Sequence, residues 1–365
     1  MRLAIILVHY HTPALAAAAV EALRRDTAGL DGGIEWLLID NGSDEAGRAL
    51  LASLPVERID PGANLGYAGG VNLGVARSTA DTILLMNPDV LVLPGCVPAL
   101  LRALEDASDA AAVAGPCFWW DTGRRFLLPP SEPRSRRDEL AAVLAGMGGG
   151  WAVRARRRWR RHARLHWQAQ IPIPSYALSG SLLAVRRSAW DRIGPFDESF
   201  RLFFEETDWL RRAEQLRLPA RYLPAAEAVH LYSQSAIQEP RSNQWFEESA
   251  RLFRTRYYGG WFARLLTAVA GWIKPAAAAL PAIPASGLDL TGLPFPLWIE
   301  VSPNPAGFPA AAQRLETPPA DGWRLPDEII ERLPPGDLGN LVVQAVDEAG
   351  NEVLRRSLQP RRSGA

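Results

Sequence analysis

Lysine is nearly missing from this chain: of 40 basic side chains all but Lys274 are arginine, and 40 acidic ones balance them. With no formal net charge at pH 7, no global field draws the protein toward nucleic acid, and the arginine and alanine excess reads as coding bias. Cysteine is equally scarce. Cys96 and Cys117 are the only two, and they form neither a metal-type spacing nor a disulfide framework, which fits buried thiols in a reducing compartment. Long hydrophobic runs are absent too. The N-terminal apolar stretch stops at His9, Tyr10 and His11, too short for a secretory core. Residues 261–283 are interrupted by Arg264, Lys274, Pro275 and Pro281, so neither stretch supplies the roughly 20 apolar residues of a bilayer span. A first buried strand and a cytoplasmic location are the expectation.

What is present is ordinary soluble-protein material, 48% hydrophobic and 22% charged over 365 residues, enough for one large domain or two. Short apolar runs ("LAIILV", "IEWLLI", "VERI", "TILLM", "AAVAG") alternate with helical patterns. That alternation predicts βαβ units and a mostly parallel sheet covered by helices on both faces. Ligands of such sheets bind beyond the carboxyl ends of the strands, which directs attention to the polar endings "HYHTP", "DNGSD" and "NPD". In "LLMNPDV" Pro88 stops the strand and leaves Asp89 on a stiffened turn. A carboxylate there can bind a hard divalent cation or cap the following turn. Asp40 can accept a nucleobase N–H, whereas Ser43 and Asp44 are explained by helix capping. "NLGYAGGVNLG" places glycines through a helix start, which suggests close backbone approach and a neighbouring diphosphate. "FFEETDW" gathers Glu205, Glu206 and Asp208 at another helix start, where they either complement the macrodipole or act as a base with raised pKa. His230 lies in an apolar strand and is either a core residue or a ligand.

Taken in order, "HYHTP", "DNGSD", "NLGYAGGVNLG", "LLMNPDV", "SGSLLAVRRSAWDRIGPFDESF", "FFEETDW" and "AVHLYS" resemble the family-2 glycosyltransferases of GT-A fold, rhamnosyltransferase-like members above all. The resemblance spans about residues 1–260. It implies a nucleoside-diphosphate-sugar transferase in which Asp40 holds the base. Tyr10, Thr12, Asn41, Asn64, Gly66, Gly70, Asn72, Asn87 and Asp89 complete the donor side. Asp89 and His230 would hold Mg²⁺ or Mn²⁺, with Asn87 standing where an acid is common. Glu206 maps to the base, with Glu205 and Asp208 as alternatives, and Ser179, Gly180 and Trp209 lie on the acceptor side. The implied donor is a dTDP- or UDP-sugar, possession of a rhamnosyl group being the leading expectation. The acceptor is a glycan or lipid-linked hydroxyl in cell-surface polysaccharide synthesis, and the reaction is a single inverting displacement.

The expected organisation is a GT-A domain over 1–260 with an inserted or mobile Arg/Trp-rich segment at 120–175, an apolar helix and Pro/Ala linker over 261–294, and a small β-rich module over 295–365. The Arg/Trp segment admits three readings: a solvated face, a surface for anionic lipid at the inner face of a membrane, or a site for an acceptor diphosphate. A reading from another class, a non-catalytic sugar-nucleotide or glycan-binding protein, is opposed by the intact "EETD" and "NPD".

Overall fold

The structure, a computed structural model, describes residues 2–30, 32–119, 123–132, 135–231, 234, 238–273, 280–283, 287–332 and 341–358. It resolves into two compact units, 1–117 with 169–260, and 118–168 with 261–365.

The first unit is built on the alternation read from the sequence. Strands β1 (Leu3–His9), β2 (Ile34–Asp40), β3 (Glu57–Ile59) and β4 (Thr82–Met86) are all parallel where they pair, in the order β3-β2-β1-β4. Beyond β4 the sheet turns mixed. Leu182–Arg186 runs antiparallel to both β4 and Ala112–Ala114, and Ala220–Tyr222 and Ile173–Pro174 complete that edge. Every residue of β1 and β4 is buried, so each strand feeds two cores, as the pleat requires. Leu3, Ile5 and Leu7 pack with helices α1 (Pro13–Thr27) and Cys96–Asp106 on one face. Ile6 and Val8 pack on the other with the helices Gly66–Arg77 and Glu205–Gln215. Fully burying each such side chain contributes roughly 1.5–3 kcal/mol.

The helix Gly66–Arg77 explains its glycines by packing. A Cβ at Gly70 would sit 2.7 Å from Val8 Cγ1 and one at Gly74 2.6 Å from Ile6 Cγ2. A stripe at i, i+4 thus lets the helix lie directly on β1. Gly66 has φ +73° and its Cβ would meet the Arg201 carbonyl oxygen at 2.5 Å.

The second unit contains most of the Arg/Trp-rich segment: residues 118–168 lie in sequence between the two parts of the first unit. Gly149–Trp167 is a 19-residue helix. Its inward face stacks Trp159 and Trp167 with Trp298 from an antiparallel sheet of Leu297–Ser302, Ala311–Leu315, Leu341–Asp347 and Glu352–Leu358. Two of its arginines are buried because carboxylates meet them. Arg160 Nε lies 2.8 Å from Glu300, its Nη1 2.9 Å from Glu352, and Arg156 also engages Glu352. The hairpin turn expected at "DEAGN" is present, with Asp347 N–H donating to the Asn351 carbonyl at 3.0 Å. The expected linker is partly structured: Leu288 bridges Trp323, Ala282 bridges Ser357, and Leu288 and Leu290 are buried in this unit. Lys274 to Ala279 and 284–286 lie outside the described residues.

Two stability outcomes follow. Gly66→Ala should lower stability in urea unfolding by about 1–3 kcal/mol, the cost of a strained backbone plus the clash. Arg160→Met should cost about 3–5 kcal/mol by leaving Glu300 charged and buried, and Arg160→Met with Glu300→Leu should recover most of it.

Candidate active site

The polar strand ends gather in the first unit. At the end of β1, His9 is fully buried. Its Nε2 accepts the Thr12 backbone N–H at 2.9 Å, so the neutral ring carries its proton on Nδ1, which faces Asp40 Oδ1 at 3.5 Å and Ser43 Oγ at 3.4 Å. Burial lowers the His9 pKa and Asp40 only partly offsets it. At the end of β2, Asp40 accepts from Ser43 N at 2.9 Å, Gly42 N at 3.3 Å and Arg58 Nη1 at 2.9 Å. Burial pushes its pKa up, but these donors outweigh that and hold it below the ordinary value. Asn41 ties the strand end to the next helix, donating to the Gly66 carbonyl at 2.9 Å.

The turn after β4 answers why the strand ends in proline and a carboxylate. Asn87 N–H still pairs with the Ser181 carbonyl, and Val90 N–H closes back on the Asn87 carbonyl at 3.2 Å, with Pro88 at the turn position it pre-sets. The chain then re-enters β structure at β5 (Val90–Val92), which pairs antiparallel with Ala228–His230 so that His230 lies opposite Val90. That register sets His230 Nε2 3.5 Å from Asp89 Oδ1. Asp89 is buried. Desolvation raises its pKa, and His230 and the Gln234 N–H, 3.2 Å from Oδ2, bring it below the ordinary carboxylate value. The rest of "HLYS", Tyr232 and Ser233, lies outside the described residues.

The helix Glu205–Gln215 starts after Phe203 and Phe204, both left-handed at φ +70° and +71°. Two bulky residues in that region are strained, and rings of Phe246 and Phe253 hold them. Burial, then the charge of Glu206, pushes the Glu205 carboxyl well above its ordinary range, and burial raises Glu206. The two carboxyls titrate as a coupled pair in which burial opposes two negative charges side by side. Thr207 Oγ1 donates to Glu206 at 3.1 Å.

Tyr67 is the junction that sequence reasoning missed. Its hydroxyl donates to the Gly180 carbonyl at 2.9 Å. A Cβ on Gly180 would lie 3.0 Å from Glu206 Cγ. Burial raises the Tyr67 pKa well above normal, and Glu205, Glu206 and Asp89 all add to it. The Ser181 carbonyl beside Gly180 accepts the Asn87 N–H, so the acidic helix start and the "NPD" turn border the same strand end. Tyr67 stood inside "NLGYAGG", but only the fold shows where its hydroxyl points.

Four expected residues carry a buried side-chain oxygen with no hydrogen bond among the described residues: Thr12 Oγ1, Asn87 Oδ1, Asp89 Oδ1 and Glu205 Oε2. Buried acceptors left without donors are costly, and a bound cation, hydroxyl or protonated group relieves that cost. Asp89 and His230 fit a hard divalent ion that completes its shell with phosphate oxygens. Among the described residues no group of three or more His, Cys, Asp or Glu gathers as a metal cage.

Other expected residues are placed differently. Trp209 is fully buried, donates to the Gly194 carbonyl at 3.0 Å and stacks on Trp190; it is core and faces no acceptor. Asp208 is fully buried and bound by Arg212, Arg256 and Tyr257 at 2.9, 2.7 and 2.8 Å, so both of its oxygens are engaged. Asn72 spends both amide ends on Phe196, and also meets Glu198, fastening its helix to the following loop. Asn64 closes a turn on Gly66 N–H at 2.8 Å. Tyr10 meets Glu239 at 3.3 Å, and Ser179 meets Ser181 at 2.8 Å.

Residues 4–165 match the family model "Glycosyl transferase family 2". The N-acetylglucosaminyl-diphospho-decaprenol L-rhamnosyltransferase of Mycobacterium tuberculosis is 32% identical over 243 residues, 63% of this chain and 77% of that protein. The low-salt glycan biosynthesis hexosyltransferase Agl10 of Haloferax volcanii is 22% identical over 262 residues, 70% of this chain and 74% of that protein. A solved mannosyltransferase of Pyrobaculum calidifontis, in complex with GDP-Man and Mn²⁺, aligns at 14% identity and TM-score 0.42 over 76% of each chain. The sheet with its strand-end carboxylates is the GT-A-type core expected of the family, and the chain belongs to glycosyltransferase family 2, among its rhamnosyltransferase-like members.

Proposed function

We propose that this glycosyltransferase moves a rhamnosyl group from a nucleoside-diphosphate sugar, dTDP-rhamnose as the leading donor, to a hydroxyl of a lipid-diphosphate-linked sugar, with inversion. The rhamnosyl and lipid-linked parts follow the name of the mycobacterial relative. The observation that carries the reading is that Gly180–Ser181 borders both the acidic helix start and the "NPD" turn: Gly180 packs against Glu206 and its carbonyl accepts from Tyr67, and the Ser181 carbonyl accepts from the Asn87 N–H.

In this reading Asp40, fixed by Arg58 and the Ser43 N–H, lines the base side of the donor. Asp89 and His230 hold the diphosphate end, and Mg²⁺ or Mn²⁺ bound there supplies neutralisation of charge on the leaving diphosphate. Glu206, its carboxylate made more basic by burial, removes the acceptor hydroxyl proton as that oxygen attacks the anomeric carbon from the face opposite the diphosphate. One displacement inverts the centre. Gly180 lets the Glu206 side chain pack directly against the backbone, where a Cβ would lie 3.0 Å from Glu206 Cγ. A cytoplasmic site of action suits a soluble nucleotide-sugar donor. Among the described residues no helix is long and apolar enough to cross a membrane.

Glu206→Gln should reduce transfer by about 10²–10⁴-fold while donor binding by calorimetry stays within a factor of a few; near-normal turnover sinks the base assignment. The pH–rate profile should show the matching limb. Glu206 is raised above the ordinary value of 4.5 and works ionised, so activity is complete above its raised pKa and is lost as pH falls through it. A thermal-shift panel of nucleotide sugars with Mn²⁺ should single out one donor, because ligand stabilises the folded state as RT ln(1 + [L]/Kd). EDTA, or Asp89→Ala with His230→Ala, should abolish that shift; an undiminished shift refutes the cation site.

A further inference from the structure

We infer that the second unit carries a docking surface for an anionic lipid bilayer, formed by the outward faces of the helices Gly260–Trp272 and Gly149–Trp167. On the first helix the buried side is Phe262, Ala263 and Leu266. Opposite them Trp261, Leu265, Ala268 and Trp272 recur at spacings of four, three and four, which places them within about 60° of arc. Trp272 is 89% exposed and Trp261 64%. A folded protein rarely leaves two tryptophans and a leucine on one stripe in water, and Trp near both ends of a helix suits the lipid headgroup boundary.

The second helix supplies the charge. Its buried arc of Arg156, Trp159, Arg160, Ala163 and Trp167 faces the sheet. On the far side Trp151, Arg154, Arg161 and Leu165 share an arc of about 80° and are all exposed. Arg156, Arg158 and Arg160 are paired with carboxylates, and Arg157 meets Asn351. Arg154 and Arg161 have no ion-pair partner among the described residues, and neither helix contains an acidic residue. The two helices approach at their ends, where a Cβ on Gly146 would meet Ile273 Cγ2 at 3.0 Å, beside Met147, which is 55% exposed. Apolar stripe and cations unpaired among the described residues, in one unit, are the complement of an anionic headgroup layer, which attracts arginine near its surface. A second copy of the chain would present the same cations and repel them.

Flotation of the full-length protein with phosphatidylglycerol vesicles and with neutral phosphatidylcholine vesicles tests this without donor or acceptor, so its failure is distinct from failure of the proposed reaction. The protein should float with the anionic vesicles and at least tenfold less with neutral ones. W261A/W272A and R154E/R161E should each cut anionic binding about tenfold, with unchanged melting temperature and donor hydrolysis. Wild type left in solution, variants that float like wild type, or equal binding to both vesicles overturns the proposal. So does sedimentation velocity showing a dimer that W261A/W272A dissolves without any vesicle binding.

Discussion

The antiparallel pairing of Val90–Val92 with Ala228–His230 is the constraint on which the site depends. These segments are far apart in sequence, and a slip of one residue would turn His230 to the other face of its strand. In register, it lies beside Asp89 and keeps a buried carboxylate ionised. Pro88 contributes by ending β4, and the Asn87–Val90 turn by restarting the strand at once. The orphaned Asp89 and Asn87 oxygens are the residue of that geometry. The sheet needs its backbone pairs and the turn needs its closure, which leaves these side-chain oxygens without a hydrogen bond among the described residues.

Local patterning carried the fold a long way, because continuous apolar runs and helical periods are properties of short windows. The strands at Leu3, Ile34, Glu57, Thr82 and Ala112 and the hairpin turn at Asp347–Asn351 appear where the sequence places them. What remained hidden depends on partners distant in the chain. Gly70 and Gly74 suggest close approach in either reading, but only Val8 and Ile6 identify the neighbour as β1. The arginines of 149–167 read as a solvated or membrane-facing helix until Glu300 and Glu352 arrive from the far end of the chain to bury some of them. Composition cannot separate a paired arginine from a free one, and this helix holds both.

The site shows the same division. Asp40, Asp89 and the acidic helix start are legible as strand-end and helix-start carboxylates. Trp209 and Asp208 look equally functional in "EETDW", yet one fills the core and the other anchors two arginines. The helical phase explains the split. Glu205 and Asp208, three positions apart, share a side of the helix, but Arg212 at i+4 and Arg256 from the helix Ser242–Tyr258 claim the second. Tyr67, His9 and Arg58 were missed because each acts through one hydroxyl, ring nitrogen or guanidinium whose direction no spacing encodes.

Pairing Asp208 has a consequence for the two glutamates. Three uncompensated carboxylates within one helical turn would repel one another by about 3 kcal/mol per pair at 5 Å and an effective dielectric of 20, and all three would tend to protonate. Two arginines and Tyr257 satisfy Asp208, so its charge is spent locally. Glu205 and Glu206 then form a two-member system in which burial raises both carboxyls. A base must be ionised yet avid for a proton. Burial gives the proposed base, Glu206, that avidity, and Asp208, bound by Arg212, Arg256 and Tyr257, adds no unpaired charge to the same turn.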